Sequence, residues 1–246
     1  MRLLHLSDLH LCSSPDAIVY GINPYDNLQK AIANIQAFKD TIDFGVITGD
    51  ISNDGSKESY ELADISLSLL PFPIYVTNGN HDDSHNLIDI EHRKLIYCPR
   101  VTRQGIDFLF LNSVAIAEDG TNRSKGLLSD MELERVKRVK GQTNPTIILM
   151  HHPVLTSESW MDSRILINRE DFISVVTSVP QIVAVLSGHN HRSFKKKIGS
   201  CLFSTSPSVS TSYSEFLRPY EEANSPGFDV LEIEGNNVSF NTVNTR

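Results

Sequence analysis

Cysteine is scarce in this chain, and the few that occur form no motif. The 246 residues contain three, Cys12, Cys98 and Cys201, with no C-x-x-C pair among them. An odd number of widely spaced cysteines argues against a disulfide framework and favours a reducing compartment. The N-terminus carries Arg2 and His5 too early for a secretory signal, so we expect a cytoplasmic protein.

Long apolar runs and basic stretches are lacking as well. No apolar run approaches the ~20 residues that would span a bilayer, so no membrane span is expected. The net charge is −8, whereas a protein that holds nucleic acid through many phosphates normally carries a basic surface. The basic run Lys195-Lys196-Lys197 is explained by a solvated turn between two strands. We therefore expect no stable nucleic-acid partner.

Repeats, low-complexity tracts and Ser/Gly-rich linkers are absent from the sequence. A hydrophobic content of 40% and a charged content of 21% are typical of a globular protein rather than a disordered one. The length suits one large domain. The sequence thus predicts a single domain over residues 1–246, and it is compatible with a homodimer.

Apolar runs rich in β-branched residues predict a series of short strands. They lie at Arg2–Ser7, Phe44–Thr48, Ile74–Thr77, Ile106–Asn112, Thr146–Met150, Ile182–Ser187, Leu202–Thr205, Phe228–Ile233 and Val238–Val243. Four helical patterns lie between them. Asn23 followed by Pro24 predicts the start of the first, and Pro71 ends the second. Ser129 opens a capping box for the third, and Asn168 is the expected cap of the fourth. This order predicts an α/β sandwich of two packed sheets with helices outside.

Seven side chains of the kinds that bind metals lie in short, ordered motifs. They are Asp8 and His10 in S-D-L-H, Asp50 in T-G-D-I, Asn80 in G-N-H-D, His151 in L-M-H-H-P, and His189 and His191 in S-G-H-N-H. The motifs follow predicted strands, whose carboxyl ends converge on one rim in open α/β sheets. At an extended strand end, residues i and i+2 point to the same side, so each D-x-H or H-x-H pair can reach one ion. We expect these residues to form one centre.

The donor types indicate which ions this centre would hold. A carboxylate has two oxygens, so Asp50 can join two ions about 3.5–4 Å apart. Mixed imidazole and oxygen donors suit Mn²⁺, Fe²⁺, Zn²⁺ or Co²⁺ better than Ca²⁺. Two divalent ions against Asp8 and Asp50 leave a positive site, which attracts a phosphoryl group and lowers the pKa of a shared water. In-line attack by that hydroxide is the expected chemistry.

The leaving group in such a reaction needs a proton or a nearby positive charge. His81 follows Asn80 directly and is our candidate for that role. Asp82 either orients His81 or caps a turn, and the sequence leaves both alternatives open.

The ordered series D-x-H, G-D, G-N-H-D, H-H-P and G-H-x-H, from Asp8 to His191, resembles the calcineurin-like metallophosphoesterase superfamily. Three further segments resemble the class III cyclic-nucleotide phosphodiesterases and related glycerophosphodiesterases. They are Asn23–Ile35, W-M-D at 160–162 and S-P-G-F at 225–228. This resemblance implies a four-layer αββα sandwich, in which two mixed β-sheets are flanked by helices.

The resemblance also implies roles for individual residues. One metal would be held by Asp8, His10, Asp50 and His191. The other would be held by Asp50, Asn80, His151 and His189. Asn80, His81 and His191 would contact the substrate, with His81 acting on the leaving group. His152 would support His151 or face the substrate. Departures argue against two other branches: Asn53 stands where purple acid phosphatases have a metal-binding tyrosine, and 52–55 lack the D-R-G element of protein phosphatases.

The sequence therefore predicts a dinuclear metal-dependent phosphodiesterase for small diesters, such as the 3′,5′-cyclic nucleotide cAMP. The alternatives are a glycerophosphodiesterase, or a broad-specificity phosphatase or 2′,3′-cyclic phosphodiesterase. A nuclease or a non-catalytic scaffold is less favoured. Trp160 is a candidate for stacking on a nucleobase, although it and Met161 could equally be core residues. Phe216 and Tyr220 are further candidates for the pocket wall.

Overall fold

Twelve strands form the framework in the part of the chain that the computed structural model describes, residues 1–89, 94–116, 124–211 and 226–245. In chain order they are β1 (Arg2–Leu6), β2 (Phe44–Thr48), β3 (Ile74–Thr77), β4 (Leu95–Tyr97), β5 (Arg100–Arg103), β6 (Ile106–Phe110), β7 (Thr146–Leu149), β8 (Ile182–Ser187), β9 (Phe194–Ile198), β10 (Cys201–Thr205), β11 (Gly227–Glu234) and β12 (Asn237–Asn244).

The strands form two six-stranded sheets with similar plans. The first has the order β12-β11-β1-β2-β3-β4, and the second has the order β5-β6-β7-β8-β10-β9. In the first sheet β1 to β4 are parallel, while β11 and β12 run antiparallel to their neighbours. In the second, β6, β7, β8 and β10 are parallel between the antiparallel edge strands β5 and β9. Both sheets are thus mixed, as the family resemblance implied.

Helices cover the outer faces of the sheets. They are α1 (Pro24–Gln36), α2 (Lys57–Leu67), α3 (Ser84–Ile88), α4 (Asp130–Lys137) and α5 (Arg169–Thr177), with 3₁₀ turns at Lys39–Thr41 and Trp160–Arg164. The predicted caps of α1 and α4 are confirmed, because Asn23 accepts from the Asp26 amide and Ser129 from the Glu132 amide. Asn168 does precede α5, but it makes no capping bond and pairs with the Leu128 backbone instead.

Three apolar clusters separate four layers. One lies between the sheets and includes Phe44, Phe108 and Leu231. A second lies under α1 and α2 on the outer face of the first sheet, and a third lies under α4 and α5 on the outer face of the second. The predicted four-layer αββα sandwich is therefore confirmed.

Several short or polar elements differ from the sequence prediction. Strand β4 has only three residues, too few for a pattern to be read, and β5 reads Arg-Val-Thr-Arg, which lacks the apolar pattern of a strand. The lysines 195–197 do not form a turn but lie within β9, at the edge of the second sheet. Edge strands often carry lysine because its charge discourages pairing with another chain. Helix α2 ends at Leu67, before Pro71, and α3 was not predicted.

No helix among the described residues is long and apolar enough to cross a membrane. Phe216 and Tyr220, the two further pocket candidates, lie outside the described residues.

Candidate metal centre

The carboxyl ends of β1, β2, β3, β7 and β8 bring all seven predicted ligands to one rim of the sandwich. Three of them form a first half of the centre, defined as Asp8, His10 and His191. Nε2 of His10 lies 3.0 Å from Nε2 of His191, which in turn lies 3.3 Å from Oδ1 of Asp8. All three side chains are buried, and their donor atoms are close enough together to hold a metal ion.

The second half of the centre is defined as Asn80, His151 and His189. Nε2 of His151 lies 3.0 Å from Nδ1 of His189 and 3.1 Å from Oδ1 of Asn80. Both histidines are buried. Each half thus contains two imidazole nitrogens and one oxygen that lie close enough together to bind the same ion.

Asp50 lies between the two halves, as the bridging prediction requires. Its Oδ2 is 3.7 Å from Nε2 of His10 and 3.3 Å from Nε2 of His151. Its Oδ1 accepts the backbone N–H of His81 at 2.8 Å. The same carboxylate therefore contacts both halves and anchors the loop that carries His81.

The backbone of five candidate ligand residues is not extended. Asp8, His10, Asp50, His189 and His191 have positive φ values between 49° and 69°. The prediction that i and i+2 residues converge because they continue an extended strand was wrong in its geometry, although the residues do converge. Left-handed backbone at non-glycine residues costs of order 1–2 kcal/mol each and is typical of functional sites.

Two glycines permit the close approach of these loops. A Cβ at Gly79 would lie 2.2 Å from Oδ1 of Asp50, and one at Gly188 would lie 1.8 Å from Oγ of Ser7. Since atoms cannot pack that closely, any other residue at either position would displace the loop that carries a ligand.

Hydrogen bonds on the outer side of two rings fix which nitrogen faces the centre. Nδ1 of His151 lies 2.8 Å from the carbonyl oxygen of Thr48, and Nδ1 of His191 lies 2.9 Å from that of Thr211. Because a carbonyl oxygen can only accept, each Nδ1 carries the hydrogen and each Nε2 of a neutral ring presents its lone pair inwards. Nothing in the sequence pointed to these two carbonyl groups.

The inward lone pairs meet other acceptors at short range. Nε2 of His151 faces oxygens of Asn80 and Asp50, and Nε2 of His191 faces an oxygen of Asp8. Acceptors that face one another repel unless a proton or a metal cation stands between them. Since imidazole with carboxylate and amide oxygen is a suitable donor set for divalent transition metals, the residues fit the two ions that the sequence predicts.

The charges of the buried groups support this arrangement. Burial alone would raise the pKa of Asp50, but the positive charge and hydrogen bond of His151 outweigh it and hold that pKa well below its usual range. Burial would lower the pKa of His151, yet the carboxylate of Asp50 raises it to about 9. In the metal-free protein, a proton on His151 thus supplies the positive charge that a cation would otherwise supply.

His81 lies at the edge of the first half, where its ring contacts that of His10 edge-on at a centroid distance of 4.9 Å. Nδ1 of His81 lies 3.2 Å from the carbonyl oxygen of Asn53 and therefore carries a hydrogen. Nε2 is then the nitrogen that can exchange a proton with a bound molecule.

Asp82 acts on the backbone of the loops. It accepts the N–H groups of Gly79 and Ser52, at 2.7 and 2.9 Å, and the hydroxyl of Tyr60 at 3.1 Å. Of the two alternatives for this residue, these bonds favour the capping of a turn, because they tie the loop after β2 to the loop after β3. The sequence had not indicated this contact of Tyr60 with Asp82.

A family model for calcineurin-like phosphoesterases matches residues 1–193, which contain the whole cluster. The chain belongs to the calcineurin-like phosphoesterase family. It is accordingly a hydrolase of phosphate esters, and the family uses a dinuclear centre of divalent metals.

Named phosphoesterases are similar over most of this chain. A 3′,5′-cyclic-nucleotide phosphodiesterase of Nostoc sp. is 27% identical over 243 residues, which cover 95% of this chain and 88% of that protein. The glycerophosphodiester phosphodiesterase GpdQ of Enterobacter lignolyticus is 26% identical over 235 residues, covering 92% and 84%. A dimetal phosphatase from Danio rerio shares the fold, with a TM-score of 0.69 at 14% identity and coverage of 100% and 99%.

Trp160 and Met161 lie in the 3₁₀ turn of this phosphoesterase, with different environments. Met161 is buried and belongs to the core, one of the two alternatives given for it. The guanidinium of Arg164 lies 5.5 Å from the centre of the Trp160 ring. A cation therefore already lies over the indole, and its predicted stacking on a nucleobase stays a prediction.

Proposed function

We propose that this phosphoesterase is a dinuclear metal-dependent phosphodiesterase that hydrolyses small phosphodiesters, with a 3′,5′-cyclic nucleotide such as cAMP as its substrate. The observation that supports this most is the convergence of seven metal-binding side chains and His81 on one buried rim. Asp8, His10 and His191 would hold one ion and Asn80, His151 and His189 the other, with Asp50 shared between them.

Charge supports an anionic substrate at this rim. Two divalent ions carry +4, and Asp8 and Asp50 return −2, because Asn80 is neutral where an acidic residue would have reduced the charge further. The remaining charge of +2 attracts a phosphoryl group even though the chain as a whole is acidic. When bound, the ions would supply Lewis acidity and a nucleophile at neutral pH.

The protein's own residues orient the reaction around those ions. Asp50 receives the amide of His81 and so fixes the position of His81 relative to both halves of the centre. The carbonyl of Asn53 holds the hydrogen on Nδ1 of His81, so the protonated ring would give its second hydrogen, on Nε2, to the leaving oxygen and return to the neutral form. The loops tied by Asp82 keep these groups in place.

A glycerophosphodiester is the second candidate substrate. It is favoured by the similarity to GpdQ, whereas the cyclic nucleotide is favoured by the similarity to the Nostoc enzyme and by the predicted stacking of Trp160 on a base. Both substrates present a singly charged phosphodiester, so the metal centre alone does not distinguish them.

A substrate panel tests the proposal. The protein reconstituted with Mn²⁺ is assayed against 3′,5′- and 2′,3′-cyclic nucleotides, glycerophosphodiesters, phosphomonoesters and single-stranded DNA. We expect the highest kcat/KM for a 3′,5′-cyclic nucleotide. A higher value for a glycerophosphodiester would select the second candidate, and activity confined to monoesters would refute a phosphodiesterase.

A further inference from the structure

His152 is a buried histidine that the chemistry above does not use. Its ring centre lies 4.9 Å from that of His151 and 4.7 Å from that of His189, so it touches both histidines of the second half. Both contacts are with the second half of the centre. A residue in this position can influence one half of the centre without the other.

Ser113 fixes the orientation of His152. Oγ of Ser113 accepts the backbone N–H of His152 at 3.2 Å and lies 2.8 Å from its Nδ1. These two contacts hold the imidazole of His152 against the second half of the centre, where one of its nitrogens lies within 4.8 Å of donor atoms of His151 and His189.

The need for such a neighbour follows from a difference among the ligand histidines. Nδ1 of His151 and Nδ1 of His191 each donate to a carbonyl oxygen, the usual device that fixes the ring of a metal ligand. Nε2 of His189 and Nδ1 of His10 are both buried without a hydrogen-bond partner among the described residues, and of these two rings it is His189 that packs against His152. The orientation of this ring depends on its left-handed backbone and on packing against His151 and His152.

The other side of His152 is closed by Gly126. A Cβ at Gly126 would lie only 2.5 Å from Cγ of His152, so the chain passes directly against the imidazole. The ring is thus confined between Gly126, Ser113 and the two ligand histidines. A buried ring with so many fixed neighbours can transmit its position to His189 with little freedom.

We propose that Ser113 and His152 are positioning residues for the second half of the metal centre, Asn80, His151 and His189. This inference rests on the proposed two-metal site and specifies how one of its halves is supported. His152 holds the imidazole of His189 in the orientation that binds metal, and Ser113 holds His152. The first half does not depend on either residue.

The experiment measures Mn²⁺ affinity in two backgrounds that each disable one half. His10→Ala leaves the second half, and Asn80→Ala leaves the first. Each background is combined with His152→Ala or Ser113→Ala, and Mn²⁺ dissociation constants are measured by calorimetry and by the electron paramagnetic resonance signal of free Mn²⁺. In the His10→Ala background we expect His152→Ala to weaken binding by roughly 10–100-fold, as loss of an outer support typically does.

Ser113→Ala should act in the same direction with a smaller effect. It should add little to His152→Ala, because the two residues act as one unit. In the Asn80→Ala background neither change should weaken binding by more than about threefold, since His152 packs against histidines of the second half. The matched control is Ser66→Ala, which removes a buried hydroxyl on α2 that donates to Leu62 and should change neither affinity.

Equal weakening in both backgrounds, or none in either, would overturn the inference. Should His152→Ala not fold, Ser113→Ala carries the same comparison by itself. If the unaltered protein takes up two Mn²⁺ ions and the variants keep the same affinities, the positioning role of Ser113 and His152 is refuted, but the two-metal site is not. Absence of Mn²⁺ uptake by the unaltered protein would refute the metal centre as well.

Discussion

The space between the two sheets and the rim where their strands end differ in the side chains they bury and in the backbone that carries them. Between the sheets, aromatic and aliphatic side chains pack on regular strands, as in the perpendicular contact of Phe44 with Phe108 at 4.9 Å. At the rim, the buried groups are carboxylates and imidazoles, and five of the ligand residues have left-handed backbone. The first region stabilises the fold. The second lowers the stability of the fold but places its side chains in a defined geometry.

The difference shows how a strained, charged site persists. Buried carboxylates and positive φ values each disfavour the folded state, and the seven ligands concentrate both at one edge. Burial of the apolar interior offsets this cost in free energy. The packed interior also makes the strands rigid, so that the strand ends hold the candidate ligands in place. Substitutions at the rim should therefore change chemistry far more than folding, and substitutions in the interior should do the reverse.

The largest effect is expected at Asp50, the residue shared by both halves of the centre. Asp50→Ala removes the oxygens that face His10 and His151 and the acceptor for the His81 amide, so hydrolysis of bis(p-nitrophenyl) phosphate at saturating Mn²⁺ should fall by at least ~10⁴-fold. The measurement is kcat, with Asp171→Ala on the exposed face of α5 as control. Turnover like that of the unaltered enzyme would refute the bridging role.

His81 should have the next largest effect, through the leaving group. His81→Ala should keep both metals and lose roughly 10²–10⁴-fold in kcat on diesters with poor leaving groups, because these need the proton most. For p-nitrophenyl leaving groups the loss should be smaller. Metal content and kcat across a leaving-group series check this prediction. An equal loss for good and poor leaving groups would contradict the assignment of His81 as the acid.

The interior should show the opposite balance. Phe108 is fully buried between the sheets, so Phe108→Ala should lower the free energy of unfolding by about 3–5 kcal/mol. The folded fraction should keep a KM close to that of the unaltered enzyme, since the rim is untouched. Urea unfolding and steady-state kinetics at low temperature measure the two quantities. A large change in KM with little loss of stability would contradict the expectation that the interior determines stability and the rim determines chemistry.

The same division explains what the sequence predicts well. The strands that carry the ligands have short apolar runs, and their order and the capping residues Asn23 and Ser129 are readable from local chemistry. The donor types in the motifs named the side chains that converge at the rim, and their binding of metal stays a prediction. The left-handed backbone at Asp8 and His189 and the support of His152 by Ser113 are set by contacts between distant segments, which local patterns do not contain. The edge strand β9 was missed because its lysines lie at the edge of the sheet rather than in a core, so the strand has no run of apolar residues.

His5, in the interior below the rim, should give stability a pH dependence. Burial lowers its pKa to about 3, whereas an unfolded histidine titrates near 6.5. As pH falls below about 6.5 the unfolded state gains a proton that the folded state does not, so stability is lost. His5→Gln does not titrate and keeps a polar group near Thr48 Oγ1, the partner of Nε2 at 2.9 Å.

The measurement for His5 is the free energy of unfolding of metal-free protein at pH 7 and pH 5. Relative to His5→Gln, the unaltered protein should lose about 2 kcal/mol between these values, from roughly 1.4 kcal/mol per unit of pH. A constant difference between the two proteins would show that His5 is protonated in both states or in neither.

The smallest effect is expected at Trp160, and it bears on the substrate rather than the centre. Trp160→Ala should raise KM for a cyclic nucleotide by about tenfold, the lower range of base stacking on an aromatic ring, because the indole beside Arg164 would no longer contact the base. KM for bis(p-nitrophenyl) phosphate should change little, and Trp160→Phe should restore most of the loss. If both substrates lose affinity equally, Trp160 supports the loop instead of the base. The rim would then bind its substrate through the phosphoryl group alone, and the preference for a nucleotide would have to come from another part of the site.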